Sequence, residues 1–192
     1  MIVSFYTERT EFYCLAADRM RRDCAVRGIQ NDIQPAREQL QYEPDTKAAR
    51  QFVQQQKPDF IRSMLELHRK PVWWLDVDTV VTNHPPAISS NCFFAAHEQP
   101  HKPKYAIMSS VLYFSPSGDA FKFLADWKKQ LRQGMSDHTP LVMVFKRWWL
   151  RPAAAGMFLS NFNDWVRYNG FNSAANPHPV HEDRRTTDPI IK

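Results

Sequence analysis

Asp76 and Asp78 stand one residue apart at the end of the apolar run Val72-Trp73-Trp74-Leu75, and apolar character resumes at Val80-Val81. A short run rich in β-branched and aromatic residues after Pro71 predicts a buried strand. Alternate side chains of a strand share a face, so strand geometry would turn both carboxylates the same way. Two carboxylates converging on one point repel unless positive charge lies between them. A hard divalent cation, held partly by the phosphates of a substrate, supplies such charge.

The elements that position this pair are legible on either side. Ile2–Tyr6 predicts a first strand, with Thr7 just past its end. Glu11 to Arg27 predicts a helix whose approximate stripe is Phe12, Leu15, Ala16, Met20, Cys24 and Val26, stopped by Gly28. Gly28 to Ile33 predicts a second strand. Strand, helix, strand is the opening of a parallel α/β sheet, and ligands of such sheets lie beyond the C-terminal strand ends. Thr7 is therefore placed near a nucleotide pocket. Helices are expected over Thr46–Gln56 and, from Lys57-Pro58-Asp59, over the stripe Phe60, Ile61, Met64, Leu65 and His68. Strands are expected at Cys92–Ala96 and Tyr105–Ser115, and His97–Lys104 reads as a polar loop. Ser117-Gly118-Asp119 opens a helix to Leu131, and Ser136-Asp137 opens another toward Trp149. Phe158-Leu159 and Trp165–Tyr168 read as short strands, followed by a polar tail carrying His178 and His181.

The length of 192 residues fits one domain with a sizeable core, and the expected architecture is a mixed, mostly parallel Rossmann-type sheet flanked by helices. A net charge of +5 suits anionic ligands such as nucleotides or nucleic acids. Cys14, Cys24 and Cys92 form neither a metal-ligand spacing nor an even disulfide framework, which points to reduced thiols. No stretch approaches the ~20 apolar residues of a membrane span, and the N-terminal run lacks a cationic leader. A soluble, cytoplasmic protein is the expectation.

Two unrelated families place paired aspartates after an apolar strand. Asp76-Val77-Asp78-Thr79-Val80 matches the haloacid-dehalogenase phosphatase pattern, which implies Asp76 as nucleophile. That pattern sits on the first strand and is completed by a later acidic pair, whereas here 75 residues precede it and no such pair follows. The wider resemblance is to the small nucleotide-diphospho-sugar transferases with a DxD motif, the glycosyltransferases of GT-A type. It rests on Lys57-Pro58-Asp59-Phe60-Ile61 ahead of the aspartates, Asn83-His84-Pro85 after them, Met108 to Ser117, Ser136-Asp137-His138-Thr139-Pro140-Leu141, and Pro179 to Arg185. His138 stands where that family has Gln.

The resemblance implies a GT-A-like domain over 1–192, with a donor-binding half at 1–82 and an acceptor half at 83–192. Its activity would be metal-dependent transfer of a sugar from a nucleotide-diphosphate donor, a UDP-sugar by default, to an acceptor hydroxyl. Asp76, Asp78 and His181 would hold Mn²⁺ or Mg²⁺, with Asp76 alternatively on the donor ribose. A histidine among the ligands favours Mn²⁺. Lys57 and Arg184 would contact the diphosphate. Asp137 would be the general base of an inverting reaction, or would position the sugar in a retaining one. The acceptor is open: a glycan, a lipid-linked sugar, a protein, or a hydroxylated DNA base exposed from the stack. A non-catalytic binding module on the same fold is the third reading.

Overall fold

The structure, a computed structural model, describes residues 1–8, 11–36, 47–98, 107–132, 136–149, 156–159 and 165–168. In chain order these form β1 (Ile2–Tyr6), α1 (Glu11–Val26), β2 (Asn31–Pro35), α2 (Lys47–Gln54), α3 (Lys57–His68), β3 (Val72–Leu75), β4 (Thr79–Val81), β5 (Phe94–Glu98), β6 (Ile107–Phe114), α4 (Gly118–Gln130), α5 (His138–Trp149), β7 (Gly156–Leu159) and β8 (Val166–Tyr168). Six strands make one sheet in the order β2-β1-β3-β6-β5-β7, and β4 pairs with β8 in a separate two-stranded sheet. The β1–β2, β1–β3 and β5–β7 pairs are parallel; β6 runs antiparallel to β3 and β5. This is the expected mixed, mostly parallel α/β sheet.

The paired tryptophans show how the sequence fills both faces of it. Successive strand residues alternate sides. Val72 and Trp74 enter the core beneath α3, α4 and α5, while Trp73 and Leu75 enter the core beneath α1. Trp74 packs against Phe5 and Phe60 at 5.1 and 5.7 Å, and Trp73 against Tyr113 and Trp165 at 5.2 and 4.8 Å. Each indole thus anchors a different layer, which explains why a four-residue strand needs two of them.

Local signals set the ends of the helices. Gly28 adopts φ 64° after α1, and the Ile29 amide returns to the Cys24 carbonyl at 2.9 Å. Pro58 sits in the first turn of α3, where its missing N–H costs nothing. Ser117 caps α4 by accepting the Ala120 amide at 3.2 Å.

Two expectations shift. β2 begins at Asn31 rather than Gly28, because Gly28 and Ile29 are used to end α1. β5 reaches Glu98, so His97 is a buried strand residue at an irregular register step, not part of a polar loop.

Candidate active site

The apolar run does not carry both aspartates on one strand. β3 ends at Leu75, and Asp76 to Thr79 form a turn closed by the Thr79 amide on the Asp76 carbonyl at 2.9 Å. The chain then leaves the main sheet, with β4 pairing with β8. Two bonds pin the departure point: Ser4 Oγ donates to the Leu75 carbonyl at 2.7 Å, and the Asp76 amide donates to the Ser110 carbonyl at 2.8 Å. The turn therefore lies at the C-terminal edge of the parallel strands β1 and β3. Thr7 follows β1 and is half-buried; the β1–β3 pairing itself sets Ile2 and Val3 against Trp73 and Trp74.

Lys57, the first residue of α3, reaches over this edge. Its ammonium lies 2.7 Å from Asp76 Oδ1 and 2.8 Å from Asp137 Oδ2, and 5.5 Å from the centre of the Trp74 ring. Three sequence-predicted residues thus converge from the N-terminus of one helix, the end of one strand and the start of another helix. Asp76 Oδ1 also accepts the Trp74 indole N–H at 3.0 Å, which fixes its carboxylate and leaves Oδ2 to a ligand. Asp137 is set from the backbone: its carbonyl accepts the Leu141 amide at 3.2 Å, opening α5, and the Trp127 indole N–H at 3.0 Å. Its carboxylate meets Lys57 by proximity of charge, since Oδ2 receives no well-aligned hydrogen bond. The side chains of Lys57 and Asp137 are 5 % and 3 % exposed, whereas that of Asp76 is 26 % exposed, so solvent reaches the cluster from the Asp76 side.

Burial and charge set the protonation of the group. Burial alone would lower the Lys57 ammonium; the carboxylates of Asp137 and Asp76 outweigh it and hold the group above its ordinary range. Burial raises Asp76, Lys57 works against that rise, and Asp137 adds to it. Asp78 is pushed to about 7 by burial and then by Asp76, with Lys57 and Arg19 opposing. Among the described residues no lysine or arginine makes an ion pair with the Asp78 carboxylate; Arg19 Nη2 reaches its backbone carbonyl instead, at 3.3 Å.

This donor set suits a hard divalent cation in its chemistry. It offers carboxylate oxygens, one of them on a buried group that no lysine or arginine pairs directly among the described residues. Among the described residues no three of His, Cys, Asp and Glu come together as a complete cation site, so Asp76 and Asp78 would contribute part of a coordination shell. His181, Arg184 and the alternative ligand His178 lie outside the described residues.

A stability test of Asp78 follows from the sign of its shift. A carboxyl whose folded-state value is raised from 3.8 to about 7 holds its proton more tightly in the native state. Its contribution is fully present below about pH 4 and is lost as pH rises through 7. The cation-free protein is expected to lose a few kcal/mol between pH 5 and pH 8 relative to Asp78→Asn, and Mn²⁺ at pH 8 is expected to restore it. Melting temperatures of both proteins across that range check this; parallel pH profiles would refute it.

A cavity of about 280 Å³ opens between the ends of β1 and β2 and the helices α2 and α3, lined by none of Lys57, Asp76, Asp78 and Asp137. Phe5, Phe52, Phe60 and Met64 supply apolar walls, and Gln34 and Gln56 supply amides. Phe60 and Phe5 both pack on Trp74, so the cavity adjoins the residue that holds Asp76.

Sequence reading missed two participants. Trp74 stands two residues before Asp76, and strand periodicity puts i and i+2 on one face, so that contact was available in principle. Arg19 sits among basic residues of a helix and carries no distinguishing local signal.

No protein-family model matches the chain, and no curated protein matches it in sequence. Among solved structures it resembles the crystal structure of a glycosyltransferase involved in the glycosylation of the major capsid of PBCV-1. The TM-score is 0.59 at 15 % identity, over 83 % of this chain and 81 % of that one. The likeness is one of fold: this mixed α/β architecture is one that a glycosyltransferase adopts. Among the described residues no helix is long and apolar enough to cross a membrane.

Proposed function

We propose that the protein is a metal-dependent glycosyltransferase of GT-A type. It would move a sugar from a nucleotide-diphosphate donor, a UDP-sugar in the first instance, to an acceptor hydroxyl. One observation carries this reading: the Lys57–Asp76–Asp137 cluster, with buried Asp78 close by in the same turn as Asp76, lies at the C-terminal edge of the sheet in a fold shared with a glycosyltransferase.

Asp76 and Asp78, with His181 from the tail, would hold Mn²⁺ or Mg²⁺. The cation supplies charge against which the diphosphate leaves. Thr7 and the neighbouring cavity would receive the nucleoside, with aromatic walls for the base and amides for its edge. Lys57 and Arg184 would meet the diphosphate oxygens. Trp74 keeps the Asp76 carboxylate in one orientation as the ligand arrives. Asp137 is paired with the Lys57 ammonium. It would take the acceptor's proton once Lys57 is drawn toward the donor phosphates; in a retaining reaction it would orient the sugar instead. The acceptor would be a glycan or a hydroxylated DNA base.

The test is a thermal-shift screen of UDP-, GDP-, ADP- and dTDP-sugars with and without Mn²⁺. The cognate donor at about 100 times its Kd stabilises the native state by ~2.7 kcal/mol, on the order of 5–10 °C for a chain this size. Stabilisation by none of them would remove the reading. Release of phosphate from phosphate esters without release of nucleotide would replace it with the phosphatase, with Asp76 as nucleophile.

A further inference from the structure

Lys57 approaches the aspartate turn from the α3 layer, and one other cation approaches it from the opposite face of the sheet. Arg19 lies on α1 and directs Nη2 to the carbonyl of Asp78 at 3.3 Å in a partly buried setting. The other arginines of that helix stretch are placed differently. Arg21 binds Asp18, the Ile33 carbonyl at 2.7 Å and the Tyr6 ring, and Arg22 is exposed. Arg19 is thus the arginine of α1 that hydrogen-bonds to the turn.

The turn needs such a hold. Its only internal backbone bond runs from Thr79 to Asp76, which leaves the Asp78 carbonyl to outside donors. The chain changes sheets here, so the ladder that would have fixed residues 76–78 is interrupted. Asp76 and Asp137 already share the ammonium of Lys57, and the Asp78 carboxylate follows in the same turn without an ion-pair partner among the described residues. A guanidinium bonded to the backbone adds positive charge without occupying a carboxylate oxygen, so the Asp78 carboxylate stays available.

We propose that Arg19 is a positioning residue of the cation and diphosphate site, which clamps the Asp76–Thr79 turn from the α1 face and so fixes the direction of the Asp78 carboxylate. This rests on the transferase reading for the identity of the ligand, and on the hydrogen bond alone for the role. The clamp acts through the backbone of a ligand residue, and losing such outer contacts typically costs about 10–100-fold in metal affinity.

The experiment uses the full chain as wild type, Arg19→Met and Arg19→Lys. Mn²⁺ binding to the donor-free protein is measured by calorimetry, alongside melting temperature and the Mn²⁺ dependence of donor turnover. Arg19→Met is expected to weaken Mn²⁺ binding about tenfold or more with little change in melting temperature. In turnover the loss appears in the Mn²⁺ concentration required and not in the rate at saturation. Arg19→Lys, which keeps the charge, is expected to recover part of the affinity. Wild-type affinity in Arg19→Met would overturn the role. So would loss of affinity only in step with loss of melting temperature in both variants, since that marks a general structural part. A wild-type protein that binds neither Mn²⁺ nor any nucleotide-sugar would bring down the transferase reading and this inference together, an outcome distinct from the first two.

Discussion

Asp78→Ala is expected to lower Mn²⁺-dependent donor turnover by at least about a thousandfold, or ~4 kcal/mol of transition-state stabilisation, while leaving the fold intact or firmer. Both parts come from the same environment. Asp78 is 7 % exposed, has no ion-pair partner among the described residues, and sits beside another carboxylate. At pH 8 the folded protein must keep that group ionised at a cost, and alanine removes the cost. Activity and stability should therefore move in opposite directions, as they do where a site is strained for its task. Kinetics and thermal melting on the same preparation check the pair. Retention of more than a tenth of the activity would remove Asp78 from the mechanism. A melting temperature several degrees lower would mean that its carboxylate has a cationic partner after all.

The second large effect is structural. Lys57→Met is expected to cost about 3–5 kcal/mol at pH 8, because it strands two carboxylates that share one buried ammonium. Methionine fills the aliphatic volume beside Trp74, so the loss is one of charge and not of packing. The penalty should shrink toward pH 5. Burial already raises Asp76, and without Lys57 it rises further, so protonation relieves the repulsion. A second change at the partner, Asp137→Asn, should recover part of the loss in the Lys57→Met background while costing stability alone; such coupling between contacting residues is what a double-mutant cycle reads. Denaturant unfolding at both pH values is the measurement. A loss that is the same at pH 5 and pH 8 would show that Lys57 serves packing instead of charge.

What the sequence disclosed follows from which interactions are local. α1 and α4 were readable because a 3.6-residue stripe, a capping serine and a terminal glycine all lie within the element itself. The sheet was readable as a class, since strand and helix alternate, but its order was not. Nothing near β6 states that it will run antiparallel between β3 and β5. At the site, Lys57, Asp76 and Asp137 were each singled out, yet as diphosphate contact, ligand and base; their mutual pairing depends on where α3 and α5 begin relative to the end of β3. The strand argument for Asp76 and Asp78 failed for a related reason. Periodicity cannot see that the strand stops at Leu75, because the chain turns at Asp76–Thr79 to pair with β8, far along the chain. Arg19 was hidden by its neighbours, as three arginines within four positions look alike until the fold assigns each a different partner.

The change of sheet after Asp78 also bears on the order in which the molecule is made. The strands that carry the aspartate turn on its upstream side, β1 and β3, pair with each other early in the chain. The strand on its downstream side, β4, pairs with β8, whose Val166 and Arg167 meet Val81 and Val80. During synthesis the turn therefore emerges well before its brace does, and the nascent protein carries an incompletely framed acidic loop until β8 follows. Closing so long a segment is entropically costly and slow compared with the local helices. The edge that carries Asp76 and Asp78 is thus framed on its downstream side only after β8 has been made.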